Sequence, residues 1–487
     1  MYDYDLICIG SGPAGQRAAV QAAKLGKRAC VVERRFQYGG VCTETGTIPS
    51  KTFREAVKGF RAYQRLAKTH SPAASMRPEM SDLLGRVSEV IGKEAEVVRD
   101  QLARNEVDLI NGTARFVDEH TVEIWTGTGT RPVTFQNAMV AVGTRPVEPK
   151  GVPVDGQTIL TSDDIISLEK LPRTMVVVGS GVIGVEYASM FAQLGVQVTV
   201  VDKRVRPLDF LDHEITDDLV HQMRRNYVTF RGGEGVESID IVEMPQKKGV
   251  VRLDSGKFLV ADVVLFSAGR QGATDGLGLD SIGVEPNKRG LLEVDEFYRT
   301  SCSNVYAAGD VIGYPALAAT SAEQGRLSAC HMFEQSTESM PEHYPVGIYS
   351  IPEISMVGPT EQELTEKKIP YETGIARYRE IARGQILGDD SGLFKMIFHR
   401  DDKRLLAVHC IGTGATELVH VGQAVLALGG GLDYFLSTVF NYPTLAECYK
   451  VAAYNAANKL RLAEIFEQRD HVKVDVTSED EPVRDVA

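Results

Sequence analysis

The stretch Leu6-Ile7-Cys8-Ile9-Gly10-Ser11-Gly12-Pro13-Ala14-Gly15 decides how the rest of this chain is read. Its four apolar residues predict a short buried strand, its glycines a tight turn, and Gln16 to Leu25 a helix. A second apolar run, Ala29-Cys30-Val31-Val32, follows and ends in Glu33. Strand, glycine turn, helix, strand and acid together form the pattern of a dinucleotide-binding fold. Gly10 makes the turn, Gly12 lets the backbone approach a pyrophosphate, and Gly15 lets the helix pack closely. The helix start at Pro13 and Ala14 faces the phosphates, and Glu33 is placed to accept a hydrogen bond from a ribose hydroxyl.

The same pattern recurs. Met175-Val176-Val177-Val178 leads into Gly179-Ser180-Gly181-Val182-Ile183-Gly184, and the run Val196 to Val201 ends in Asp202. In both copies 23 positions separate the first glycine from the acid. One such glycine run arises by chance; two in matching context predict two dinucleotide sites. Two dinucleotides on one chain suggest electron transfer between them. Thr300 to Asp310 then predicts an apolar strand running into Gly309-Asp310, followed by a helix near Ala319 to Phe333. The acid there suits a ribityl hydroxyl, with a plain strand and turn as the competing reading.

A chain of 487 residues is long enough for two to four domains with sizeable cores. With 43% hydrophobic and 24% charged residues it has the composition of a globular protein. A net charge of −13 argues against nucleic acid or an anionic membrane as the main partner. No apolar run reaches the roughly 18 residues of a membrane span. The acidic N-terminus, Met1-Tyr2-Asp3-Tyr4-Asp5, is unlike a signal peptide. Seven scattered cysteines fit thiols kept reduced in a cytoplasm, and no metal site is expected.

Taken in order, the two glycine fingerprints, GGVC and GTIPSK across Gly39 to Lys51, Gly143-Thr144-Arg145-Pro146, Gly269-Arg270, AAGD at 307–310 and Ile351-Pro352-Glu353-Ile354 resemble the flavoprotein disulfide reductases. The resemblance runs from Tyr4 to about Leu462. It implies FAD on the first fold, NAD or NADP on the second, and a C-terminal α+β domain that pairs two subunits. By the same resemblance, Lys51 and Glu186 pair beside the flavin N5 and are the catalytic candidates. It further implies cofactor contacts at Arg34, Gly40, Val41, Cys42, Thr47, Gly112, Ala114, Gly143, Arg145, Arg270, Gly309, Asp310, Leu317, Ala318 and Tyr442. On the second fold Gly179, Gly181, Ile183, Gly184 and Gly269 join them. Asp202 suits the free ribose of NAD, while Lys203, Arg204 and Arg206 suit the 2′-phosphate of NADP.

The chain also departs from that family. Members that reduce disulfides carry two cysteines five apart in this loop, whereas here Cys42 is followed by Thr47. The family's histidine–proline–threonine is Tyr442-Pro443-Thr444, and a tyrosine with a pKa near ~10 does not shuttle protons at neutral pH as an imidazole does. Cys42 reads as a packing residue, and Thr444 with Glu447 reads as a capping box at the start of the last helix. A site that takes hydride but lacks a dithiol must deliver electrons to something that reaches it directly. The resemblance is strongest to the family branch that moves hydride between two nicotinamides: NADPH + NAD⁺ = NADP⁺ + NADH, ping-pong through FAD. An NAD(P)H oxidase or quinone reductase is the alternative, and a non-catalytic redox sensor a third.

These readings predict an α/β chain with two Rossmann-like domains: FAD on 1–152 with 273–345, and NAD(P) on 153–272. A dimerisation domain follows on 346–470, with a charged, flexible tail at 471–487. Leu66 to Val98 predicts a solvated helical stretch around the first domain. The expected assembly is a homodimer or a larger homo-oligomer.

Overall fold

The computed structural model describes residues 1–70, 77–147, 149–243, 245–337 and 339–476. They divide into two compact units, one of Met1–Pro207 with Asn226–Glu342, the other of Leu208–Arg225 with the residues from His343 on.

The first unit holds both nucleotide folds. Tyr4–Ile9 is a strand whose last four residues are buried, flanked in parallel by Ala29–Glu33 on one side and Gly129–Val140 on the other. Asp108–Asn111 extends this sheet beyond Ala29–Glu33, Val305–Ala307 joins alongside Gly129–Val140, and the antiparallel strands Thr121–Thr126 and Thr113–Asp118 follow on from Gly129–Val140, giving seven strands. Ala29–Glu33 is buried at all five positions, which is why it reads as a continuous apolar run rather than an alternating one. The second fold repeats the plan. Its five parallel strands run in the order Thr229–Gly232, Gln197–Asp202, Thr174–Val178, Val263–Phe266 and Ile159–Thr161. The helices Pro13–Lys24 and Val182–Gln193 follow the two glycine turns.

The expected helical stretch Leu66 to Val98 falls on two helices, Thr47–His70 and Met80–Ala103. Pro78 stands two positions before the second, whose N-cap Glu79 is extended, and 71–76 of the expected stretch lie outside the described residues.

The second unit is built on a five-stranded antiparallel sheet. Its order is Val346–Ile348, Ile354–Val357, Leu405–Ile411, Leu393–His399 and Tyr371–Arg377. Tyr449, from the helix Glu447–Val476, packs its ring on Phe435 at 5.3 Å and donates its hydroxyl to the Leu418 carbonyl at 2.7 Å. That helix takes in 471–476, the start of the expected tail, and 477–487 lie outside the described residues. Among the described residues no helix is long and apolar enough to cross a membrane.

One segment crosses the boundaries drawn from sequence. Leu208–Arg225 lies inside 153–272 yet groups with the second unit. The cause is Lys395, fully buried on the strand Leu393–His399, whose ammonium meets Asp212 at 2.9 Å, Glu214 at 3.2 Å and Glu361. A buried ammonium is tolerated only when paired. Burial works to raise the Asp212 carboxyl, but His409 and Lys395 outweigh it and hold it below its ordinary value.

Lys395→Met strands a buried carboxylate and should cost about 3–5 kcal/mol in urea unfolding at neutral pH. Because the folded Asp212 value is depressed, its contribution is present above the unfolded aspartate pKa of about 3.9. It is lost as pH falls through the lower folded value, so the mutant deficit should shrink in acid. An equal deficit at pH 7 and pH 3 would contradict this.

Candidate active site

The two glycine turns are built alike to within small margins. Gly10 and Gly179 have φ of +107° and +106°, a region that glycine alone enters without strain. A Cβ on Gly15 would lie 2.0 Å from the Gly10 carbonyl oxygen, and one on Gly184 would lie 2.1 Å from that of Gly179. These third glycines therefore let each helix pack onto its own turn. A Cβ on Gly12, by contrast, would meet nothing within 4 Å, which leaves open space over the second glycine. Gly12 and Gly181 stand at the N-caps of Pro13–Lys24 and Val182–Gln193, and neither helix start has a side-chain cap. The first-turn N–H groups are left to an anion, and both turns fit a pyrophosphate. Ile183 lies in the first turn of the second helix.

The acids at the strand ends act on these turns. Glu33 accepts from the Ser11 N–H at 3.0 Å, the Ser11 hydroxyl at 2.6 Å and the Arg35 N–H at 3.0 Å. Asp202 accepts from the Ser180 N–H at 2.6 Å, the Ser180 hydroxyl at 2.9 Å and the Arg204 N–H at 2.8 Å. Sequence reasoning passed over Ser11 and Ser180. The signal for them was a serine at the same place in both copies, between the first two glycines. Ser11 also accepts from the Gly39 N–H at 2.8 Å, which ties the GGVC loop to the turn. A Cβ on Gly40 would lie only 3.0 Å from the Gly12 Cα. Arg34 and Lys203 are exposed. Gly112 donates its N–H to the Glu33 carbonyl at 2.8 Å, and Ala114 is buried in the core beneath.

Lys51, on the helix Thr47–His70, reaches Glu186 on Val182–Gln193, with Nζ 2.8 Å from Oε2 and 3.0 Å from Oε1. The pair spans the two nucleotide folds. Glu186 is 3% exposed, so the lysine is what makes a buried carboxylate there tolerable.

Asp310 follows the strand Val305–Ala307 as expected. Burial pushes its carboxyl up, against the opposing pull of Arg270 and the hydroxyls of Ser321 and Thr144. Gly309 donates its N–H to Gln324 at 2.9 Å, and Leu317 caps the helix that begins at Ala318. Arg270 binds the Thr144 hydroxyl and carbonyl, each at 2.9 Å, and Asp163 at 3.1 Å. Arg145 is held by Asp275 at 2.9 Å. Gly143 and Gly269, with φ of +64° and +121°, turn the chain beside these arginines.

Residues 4–325 match the profile of the pyridine nucleotide-disulphide oxidoreductases, and 344–453 match the dimerisation domain of the same group. The chain belongs to the pyridine nucleotide-disulphide oxidoreductase family. It is 52% identical over 469 residues to a soluble pyridine nucleotide transhydrogenase of Mycobacterium bovis, covering 96% of this chain and 100% of the relative. It is 44% identical to a protein of the same name from Azotobacter vinelandii, covering 94% and 99%. Among solved structures it is similar to LpdA from Mycobacterium tuberculosis, with a TM-score of 0.85 at 25% identity, covering 92% and 99%. It is also similar to the HOCl-induced flavoprotein disulfide reductase RclA from Escherichia coli, with a TM-score of 0.83 at 25% identity, covering 93% and 99%. As a member of this family the protein works with FAD and a nicotinamide nucleotide.

The GGVC loop carries a single cysteine. All seven cysteines are free, and Cys42 has the Thr47 hydroxyl beside it. Burial pushes the Cys42 thiol up, with Thr47 and Lys51 opposing. Val41 is half-buried between Cys42 and the turn. Tyr442 lies in the second unit and is 69% exposed.

Glu447 is not part of a capping box. The Thr444 hydroxyl donates to the Asn441 carbonyl at 2.7 Å, and Glu447 Oε2 is buried with no hydrogen-bond partner among the described residues. The helix begins at Glu447 itself, so Glu447 stands at its first position rather than its third and Thr444 is not placed to cap it.

Glu33→Ala removes the clamp on Ser11 and the acceptor expected for a ribose hydroxyl. Charged hydrogen bonds of about 1.5–3 kcal/mol are at stake, so FAD should bind roughly tenfold to a hundredfold more weakly. The ratio of bound flavin to protein after dialysis, read at the flavin band, checks this.

Proposed function

We propose that this protein catalyses NADPH + NAD⁺ = NADP⁺ + NADH through FAD, without a redox disulfide. The observation that carries the reading is an intact Lys51–Glu186 pair beside a loop whose lone thiol faces a hydroxyl. Relatives named soluble pyridine nucleotide transhydrogenase, similar over nearly the whole chain, support it.

FAD, when bound on the first fold, supplies a carrier that accepts hydride from one nicotinamide and returns it to another. The residues prepare that exchange. Two open helix starts hold two pyrophosphates, and Glu33 and Asp202 orient the adenosine riboses. Lys51, held by Glu186, puts a positive charge where negative charge gathers as hydride arrives. Thr47 can neither close a bridge with Cys42 nor become a thiolate at neutral pH, so electrons leave by the route on which they entered. Val182, small at the head of the second helix, leaves a nicotinamide room to come and go in turn. Asp202 serves NAD, and Lys203 and Arg204 serve NADP. The assembly is a homodimer through the dimerisation domain, and a chain of reduced thiols suits a cytoplasm.

With donor and acceptor sharing one site, initial-rate plots for NADPH and thio-NAD⁺ should be parallel, with inhibition at high substrate. Turnover with lipoamide or glutathione disulfide, or a quinone rate far above the thio-NAD⁺ rate, would overturn the proposal. Lys51→Met should slow anaerobic flavin reduction by on the order of a hundredfold while NADP⁺ affinity holds. Cys42→Ala should retain most turnover at a packing cost of about 1 kcal/mol.

A further inference from the structure

The acids of the two folds are engaged differently. In both, an arginine lies two residues past the acid and its N–H bonds the acid's carboxylate: Arg35 to Glu33, and Arg204 to Asp202. Their guanidinium groups then part company. That of Arg35 turns away to Glu44 and leaves the Glu33 carboxylate to Ser11 and the backbone. That of Arg204 folds back, placing Nε 3.2 Å from Asp202 Oδ1 and Nη2 2.8 Å from Oδ2. Counting Ser180, five donors converge on two carboxylate oxygens. The guanidinium also lies over the turn: a Cβ on Gly181 would meet Arg204 Nη2 at 3.8 Å, where one on Gly12 meets nothing.

Asp202 so covered has little capacity left to accept ribose hydroxyls. It is also neutralised, and the covering group is a cation suited to phosphate. We propose that Arg204 is a two-position selector. Docked on Asp202 it receives the 2′-phosphate of NADP(H), and withdrawn it uncovers the carboxylate for the 2′- and 3′-hydroxyls of NAD(H). The inference rests on the reading that this fold takes both nucleotides, and it supplies the means by which one acid serves both. Without the arginine, Asp202 would repel a 2′-phosphate; with the arginine fixed, it could not bind a free ribose. The Arg204 side chain is 42% exposed, and an ion pair at that exposure is weak enough to open within a binding event.

The test is binding to the oxidised, FAD-loaded protein by fluorescence titration. NAD⁺ and NADP⁺ are the ligands, and 5′-AMP and 2′,5′-ADP probe the adenosine half alone. Arg204→Met should weaken NADP⁺ and 2′,5′-ADP at least about tenfold. The same change should tighten NAD⁺ and 5′-AMP by about two- to fivefold, because no ion pair remains to be opened. Arg204→Lys keeps the charge but cannot grip both oxygens. It should hold NADP⁺ within about threefold while still tightening NAD⁺, so it decides the matter by itself if the methionine variant fails to fold. NAD⁺ affinity unchanged or weakened in both variants would overturn the selector, since a phosphate contact alone leaves NAD⁺ untouched and a strut for Asp202 weakens it. Wild-type protein that binds only one of the two nucleotides would overturn the selector and the dual-nucleotide reading together.

Discussion

A single carboxylate at the end of a strand organises each nucleotide fold. Glu33 and Asp202 each take both donors of a serine set between two glycines, and so fix the turn against the neighbouring strand. Backbone N–H groups in such a turn cannot satisfy one another, and a buried donor without a partner costs about 1–3 kcal/mol. The acid removes that cost and leaves the helix start open. Everything placed around the turn inherits this constraint. Gly39 bonds to Ser11, the GGVC loop follows, and the helix carrying Lys51 begins where that loop ends.

From that helix the lysine reaches Glu186, 135 residues away, and the two folds acquire a common charged centre. The pair asks nothing of Cys42. On the proposed function, flavin and nicotinamide chemistry needs no dithiol here, and electrons return through the site that received them. In this chain one loop carries a lone cysteine, Cys42, with Thr47 five positions on, set beside a Lys51–Glu186 pair that is in place.

Much of this was legible because it is local. Strand, turn, helix and acid lie within 28 residues in each copy, and each residue's role follows from its immediate neighbours. The strands either side of each glycine turn, both helices and the strand before Asp310 stand where the pattern puts them. Lys51 and Glu186 meet, but only the family resemblance pointed to that; spacing of this length carries no signal of its own. The placement of Leu208–Arg225 was hidden because it depends on Lys395 meeting Asp212 across 183 residues. Thr444 and Glu447 misled for the opposite reason. The motif was present, but the helix starts at Glu447, too late in the chain for Thr444 to cap it. The different directions of Arg35 and Arg204 are a matter of side-chain geometry that two similar dipeptides, Arg34-Arg35 and Lys203-Arg204, do not encode.

The central claim is that electrons enter from one nicotinamide and leave to another through one flavin, with no thiol between. Sequential anaerobic mixing tests it most directly. FAD-loaded protein is mixed first with one equivalent of NADPH and then with NAD⁺, while the flavin band and the nicotinamide absorbance are followed together. The account predicts bleaching of the flavin in the first mixing and its full return in the second, with one NADH formed per flavin at a rate no slower than turnover. A flavin that NADPH bleaches but NAD⁺ does not restore within a turnover time would contradict it.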